Sequence, residues 1–113
     1  MAIVNQQLTT TQLDMITVPA SKSYAITNIL VCNNGAATAA FDLHLIPQSS
    51  SLNNAVTRVI NNLTLPAGET FTFDSEKIVL ETGDKIAFVA EPDLGGVDAG
   101  LTNLAATVSY LEV

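Results

Sequence analysis

Among the side chains that most often carry enzymatic chemistry, this sequence has one histidine, His44, one cysteine, Cys32, and eleven carboxylates. Histidine is the usual general acid–base group near neutral pH, because small changes of environment move its proton on and off. His44 stands in Ala40-Phe41-Asp42-Leu43-His44-Leu45-Ile46. Alternation there sets Phe41, Leu43 and Leu45 on one face of a strand and Asp42 and His44 on the other. With Asp42 and Ile46 as neighbours, His44 belongs to a sheet face rather than a cleft, and a structural or interface role is expected of it. No serine sits in a G-x-S-x-G elbow, so nucleophilic catalysis has no recognisable site. Cys32 closes the apolar run Ile29-Leu30-Val31-Cys32 and reads as a small buried thiol; as the single cysteine it forms no internal disulfide.

Metal and ligand chemistry finds equally little. Transition-metal sites draw on His and Cys in pairs at short spacing, and one of each, twelve positions apart, does not supply that. The loop Asp93-Leu94-Gly95-Gly96-Val97-Asp98 offers two carboxylates without the acidic spacing of a calcium loop, and reads as flexible chain. These two and Asp74, Glu76, Glu81 and Asp84, six of the eleven acids, fall at turns, where Asp and Glu serve the backbone. A sugar-binding sandwich would present exposed aromatic platforms, yet there is no Trp and both tyrosines lie at strand positions. Asn62-Leu63-Thr64 matches a glycosylation sequon, which carries no meaning without a secretory signal. No catalytic, cofactor-binding or metal-binding residue is assigned, and no cofactor is expected.

Charge narrows the partners. The net charge is -7, and the four bases Lys22, Arg58, Lys77 and Lys85 are scattered singly. No basic stripe exists to neutralise phosphates, so neither nucleic acid nor an anionic membrane is an expected partner. Charged residues make up 13% of the chain, against about 25% in typical domains. Thr, Ser, Asn and Gln take their place. A surface of that kind suits broad contact with other protein. The start MAIVNQQLTTTQLDM lacks the basic and apolar regions of a signal peptide. No apolar run approaches the roughly 20 residues of a membrane helix. Synthesis in a cytoplasm, without secretion, is expected.

The elements that must position these residues are strands. At 113 residues the chain suits one domain, with an uncharged arm at residues 1–12 and a sandwich domain over 13–113. Segments with strand character are 13–18, 24–32, 40–46, 59–65, 70–73, 78–80, 86–90 and 104–113, separated by turn signals such as Asn33-Asn34-Gly35, Ala67-Gly68-Glu69 and Thr82-Gly83-Asp84. Residues 52–57 are ambiguous between a helical turn and irregular chain. About eight strands with no helical period predict an all-β, antiparallel two-sheet β-sandwich, jelly-roll-like. If the sheet ends dock partners, the segments near Leu13–Val18 and Ala106–Val113 are the candidates, with Val108 and Tyr110 among their residues.

Read in order, Tyr24-Ala-Ile-Thr-Asn-Ile-Leu-Val-Cys-Asn33, Phe41-Asp-Leu-His-Leu-Ile46, Leu65-Pro-Ala-Gly-Glu-Thr-Phe71, Lys77-Ile-Val-Leu-Glu-Thr-Gly-Asp-Lys-Ile86 and Ala106-Thr-Val-Ser-Tyr-Leu-Glu112 resemble the small β-sandwich virion proteins of tailed bacteriophages. These act as capsid decoration (cement) or tail accessory proteins. The resemblance spans residues 16–112 and implies a non-enzymatic virion protein. It would form a homo-oligomer, a trimer being favoured, bound to a major capsid or tail protein. A capsid decoration role is the leading expectation, with a tail or fibre component as the alternative. A carbohydrate-binding module and a small enzyme are the other classes weighed. No ligand or catalytic residue comes with the family.

Overall fold

The computed structural model describes residues 2–36, 38–73, 78–90 and 101–113, the side chains of 101–103 excepted. The described chain is all β, with nine strands and no helix: β1 (Ala2–Thr9), β2 (Leu13–Thr17), β3 (Tyr24–Asn33), β4 (Ala39–Ile46), β5 (Arg58–Leu65), β6 (Thr70–Phe73), β7 (Ile78–Leu80), β8 (Lys85–Ala90) and β9 (Leu101–Glu112). Eight of these follow the alternating segments of the sequence closely. The ninth, β1, comes from the stretch expected to be an arm. Val4 and Leu8 pack inward while Ile3 and Asn5 face out, so residues 2–9 join a sheet instead of preceding the domain. Residues 54–57 form a turn, not a helix.

Two antiparallel sheets pack face to face as a single β-sandwich. The five-stranded sheet runs β1-β9-β3-β6, with β7 also paired to β3, and the four-stranded sheet runs β2-β8-β4-β5. β6 pairs with residues 29–32 of β3 and β7 with residues 24–26, both on the side opposite β9, so together they fill one strand position. The sheets then read four by four in the order of a jelly roll. β9 lies inside its sheet, because β1 covers the side that an arm would have left open. Of the two sheet-end segments expected, only β2 is an edge.

Strand periodicity places the core. Phe41, Leu43 and Phe88 from one sheet and Ile29, Val31, Leu104, Ala106 and Val108 from the other are all within 1% of complete burial. Phe41 meets Phe71 across the sandwich in an edge-on contact at 5.9 Å and Phe88 of its own sheet at 6.1 Å. Each such side chain contributes roughly 1.5–3 kcal/mol by leaving water. Two turns fix the strands' spacing. In Pro66-Ala67-Gly68-Glu69 the Glu69 N–H donates to the Pro66 carbonyl at 3.2 Å, and Gly68 takes φ +79°. In Glu81-Thr82-Gly83-Asp84 the Asp84 N–H donates to the Glu81 carbonyl at 3.0 Å, with Gly83 at φ +85°. A positive φ at the third residue is the requirement of a type II turn and is cheap only for glycine.

One buried polar residue ties the sheets together. Asn33, 1% exposed, donates from Nδ2 to the Leu65 carbonyl of β5 and accepts the Gly35 N–H on Oδ1, both at 2.9 Å. Its backbone N–H and carbonyl bond Glu69 and Gly68, each at 2.9 Å. The residue expected to make a simple reversal is a clasp between β3, β5 and the 66–69 turn. Asn33→Ala strands a buried carbonyl, so we expect a loss of about 1–3 kcal/mol in urea unfolding. An unchanged urea midpoint would show that the clasp contributes nothing.

Candidate functional site

The residues that distinguish this surface are those the sequence leaves uncharged. The five strands of the larger sheet contain a single charged residue, Glu112, at the end of β9. Pairing defines the outer rows: Ile3 beside Ser109 and Asn28; Asn5 beside Thr107, Leu30 and Thr72; Cys32 beside Ala105 and Thr70; and Leu111 beside Ala25 and Val79. Their partners in the core alternate with them, as the strand period demands. Several of the small hydroxyl and amide side chains bond one another laterally, whereas the buried Asn28 Oδ1 has no partner among the described residues. The Asn5 amide donates to Thr107 Oγ1 at 3.0 Å, and Thr27 and Ser109 share a hydroxyl bond at 2.6 Å. Ile3, Val79 and Leu111 stand 64%, 53% and 40% exposed on this face. The result is a broad sheet face bearing hydroxyls, amides, methyls and a partly buried thiol at Cys32.

The opposite sheet handles its outer face differently. It carries Asp14, Lys85, Asp42 and Arg58, arranged as the pairs Lys85–Asp14 at 3.7 Å and Arg58–Asp42 at 3.6 Å. Within the strands, charge thus sits on this sheet and at the end of β9, where Glu112 pairs with Lys22 beside stacked Tyr24 and Tyr110.

His44, weighed above as the one acid–base candidate, is fully buried although it points away from the core. The chain after β4 returns over it, and Thr57, 4% exposed, closes the site. His44 Nδ1 lies 2.8 Å from Thr57 Oγ1. That hydroxyl donates to the Asn53 carbonyl and accepts the Asn53 N–H, both at 3.0 Å. The network assigns the proton to Nδ1, leaving Nε2 as a lone pair with no partner among the described residues. Burial lowers the His44 pKa; Asp42 opposes this and Arg58 reinforces it. Asp42 is also committed: Oδ1 accepts the Asn62 N–H at 2.5 Å, holding the bulge where Asn62 adopts φ 52°. Asp42, His44 and Thr57 are therefore buried packing groups. Alternation correctly placed Asp42 and His44 on the outer face, but it holds no signal that Thr57 closes over His44 or that Asn62 and Arg58 take up Asp42.

The other candidates disperse. Val108 is buried in the core and Tyr110 stacks on Tyr24 with centroids 4.3 Å apart, so neither lies on the outer face. The Asp93–Asp98 loop lies outside the described residues. Among the described residues no group of three or more His, Cys, Asp or Glu converges as a metal site. An apolar cleft of about 330 Å³ opens between β4 and β7, lined by Leu45, Ile46, Pro47, Ile78, Val79, Leu80 and Asp84. Asp84 is occupied there in accepting the N–H groups of Gln48 and Glu81, each at 2.9 Å. No family model matches the chain, and neither does any curated protein or solved structure.

The buried histidine generates a pH dependence. Its folded pKa lies below the unfolded value of about 6.5, so the unfolded chain binds the proton more readily. Its contribution is fully present above pH ~6.5 and is lost as pH falls from there through the folded pKa. We expect unfolding free energy, followed by urea titration at successive pH values, to decline below that point. His44→Gln should remove that part of the decline. Parallel pH curves for the two proteins would contradict the neutral buried state.

Proposed function

We propose that the protein is a non-enzymatic structural component of a tailed-phage virion, most consistent with a capsid decoration protein that works through protein–protein contact. The observation that carries this reading is the uncharged outer face of the five-stranded sheet. A chain of net charge -7 that needed only to stay dispersed gains nothing by clearing one sheet of charge. A chain that docks on other protein gains a great deal, because a charged side chain buried at an interface costs desolvation unless it finds a partner. Hydroxyls, amides and methyls on a flat sheet can be covered at small cost.

Three further features support the reading. The jelly-roll order is one that viral shell proteins share with lectins and other binding proteins, a likeness of architecture only. His44, Asp42 and Asp84 are spent on packing and turns. The sequence resemblance over residues 16–112 points the same way. The partners are then copies of the chain and a major capsid protein, in a particle assembled inside the host cell.

Immunogold electron microscopy of tailed-phage particles, from an infection in which the chain is expressed, tests this reading. Label is expected on the shell at regular positions. Thr107→Glu and Leu30→Glu, which place carboxylates on the docking face, should abolish shell labelling while the isolated protein still melts cooperatively. Label on the tail would transfer the role to a tail component, and unlabelled particles would refute the virion reading.

A further inference from the structure

The five-stranded sheet ends at β1, and this edge differs from the other strand edges of the sandwich. β2 is five residues long, has a register shift between Asp14 and Ile16, and carries the Asp14–Lys85 pair. β5 has two register shifts against β4, a residue at positive φ, Asn62, and Arg58 at its start. β6 and β7 are only four and three residues long. Short strands, bulges and charges are the devices by which edges avoid pairing with other chains. β1 is neither short nor charged, and its one register shift, between Gln7 and Thr9, lies at its far end. It is eight residues long, holds continuous register with β9 from Ala2 to Gln7, and contains no charge and no proline. No described strand pairs with its other side.

We propose that this edge pairs with the same edge of a second copy, β1 against β1 antiparallel about a two-fold axis, joining two five-stranded sheets into one. An unpaired strand edge selects another strand through its backbone N–H and carbonyl groups. The composition favours a second copy. Chains of net charge -7 repel one another, and self-association is cheapest where neither copy presents charge. Read in both directions about Val4, the strand sets Val4 against Val4, and Ile3 against Asn5, with no like charges opposed. Ile3, 64% exposed in the single chain, gains cover at the junction. The two outer faces then become one continuous uncharged surface. An isologous edge closes at two copies, in contrast to the trimer implied by the resemblance. The pairing is a property of the isolated chain and does not depend on the virion reading.

Light scattering behind a sizing column, with the purified full chain over a range of concentrations, tests the proposal. A particle of twice the 11.9 kDa chain mass is expected. Ile3→Lys combined with Asn5→Lys sets like charges across the two-fold and should give a monomer. Val79→Lys, on the far edge of the same sheet, should leave the dimer intact. A wild-type monomer at every concentration, a trimer, or a dimer that survives the double substitution would overturn the proposal. Should the double variant fail to fold, hydrogen exchange on the wild-type chain decides. Protection that rises with concentration in residues 2–6 supports the pairing, and a rise confined to β2 or β5, or none, rejects it.

Discussion

The antiparallel pairing of β3 with β9 is the constraint from which the rest of the molecule follows. These are the two longest strands, and they run in register from Tyr24 opposite Glu112 to Asn33 opposite Leu104, with one shift at Thr27. Because side chains alternate across a strand, that register decides every residue's face at once. It sends Ile29, Val31, Leu104, Ala106 and Val108 into the core and leaves Leu30, Cys32, Ala105, Thr107 and Ser109 outside. β1 adds to β9, and β6 and β7 add to β3, each inheriting the same division. A slip of one residue would expose five core side chains and bury a row of hydroxyls with no partners.

The two sheets solve the problem of their outer faces in opposite ways. Around β4 the chain covers its own outer face, burying His44 beneath Thr57 and Asp42 against Asn62 and Arg58, and satisfying both, Nε2 of His44 excepted. Across β1, β9, β3 and β6 the face is left open and cleared of charge. The first solution is complete within one chain. The second has the character of a surface awaiting another, since neutral polar side chains can be covered without stranding an ion. The jelly-roll framework makes this division possible, because each sheet has one face in the core and one free to diverge.

Most of the architecture is legible in the sequence because it is written in local chemistry. The Phe41-Leu43-Leu45 alternation, the Pro66-Ala67-Gly68-Glu69 turn and the Thr82-Gly83-Asp84 turn each act over a few residues, and the structure follows them. Three features depend on contacts distant in sequence and are not legible there. The inward turn of Val4 and Leu8, interrupted by exposed Gln6, leaves β1 with too weak an alternation to mark it as a strand. Asn33 resembles any turn asparagine until β5 is brought beside it. The burial of His44 depends on Thr57, thirteen residues away. The uncharged outer face lies between these cases: the absence of charge is plain in the sequence, but only the register shows that those residues share one surface.

Cys32 provides a direct test of the central claim that this face is covered by protein in the assembled state. It is the only cysteine in the chain and it lies on the outer face, partly exposed, between Ala105 and Thr70. The measurement is the rate of maleimide labelling of Cys32 in the free protein and in the assembled particle. A covered face predicts labelling of the free chain and strong suppression in the particle. Equal rates in the two states would contradict it.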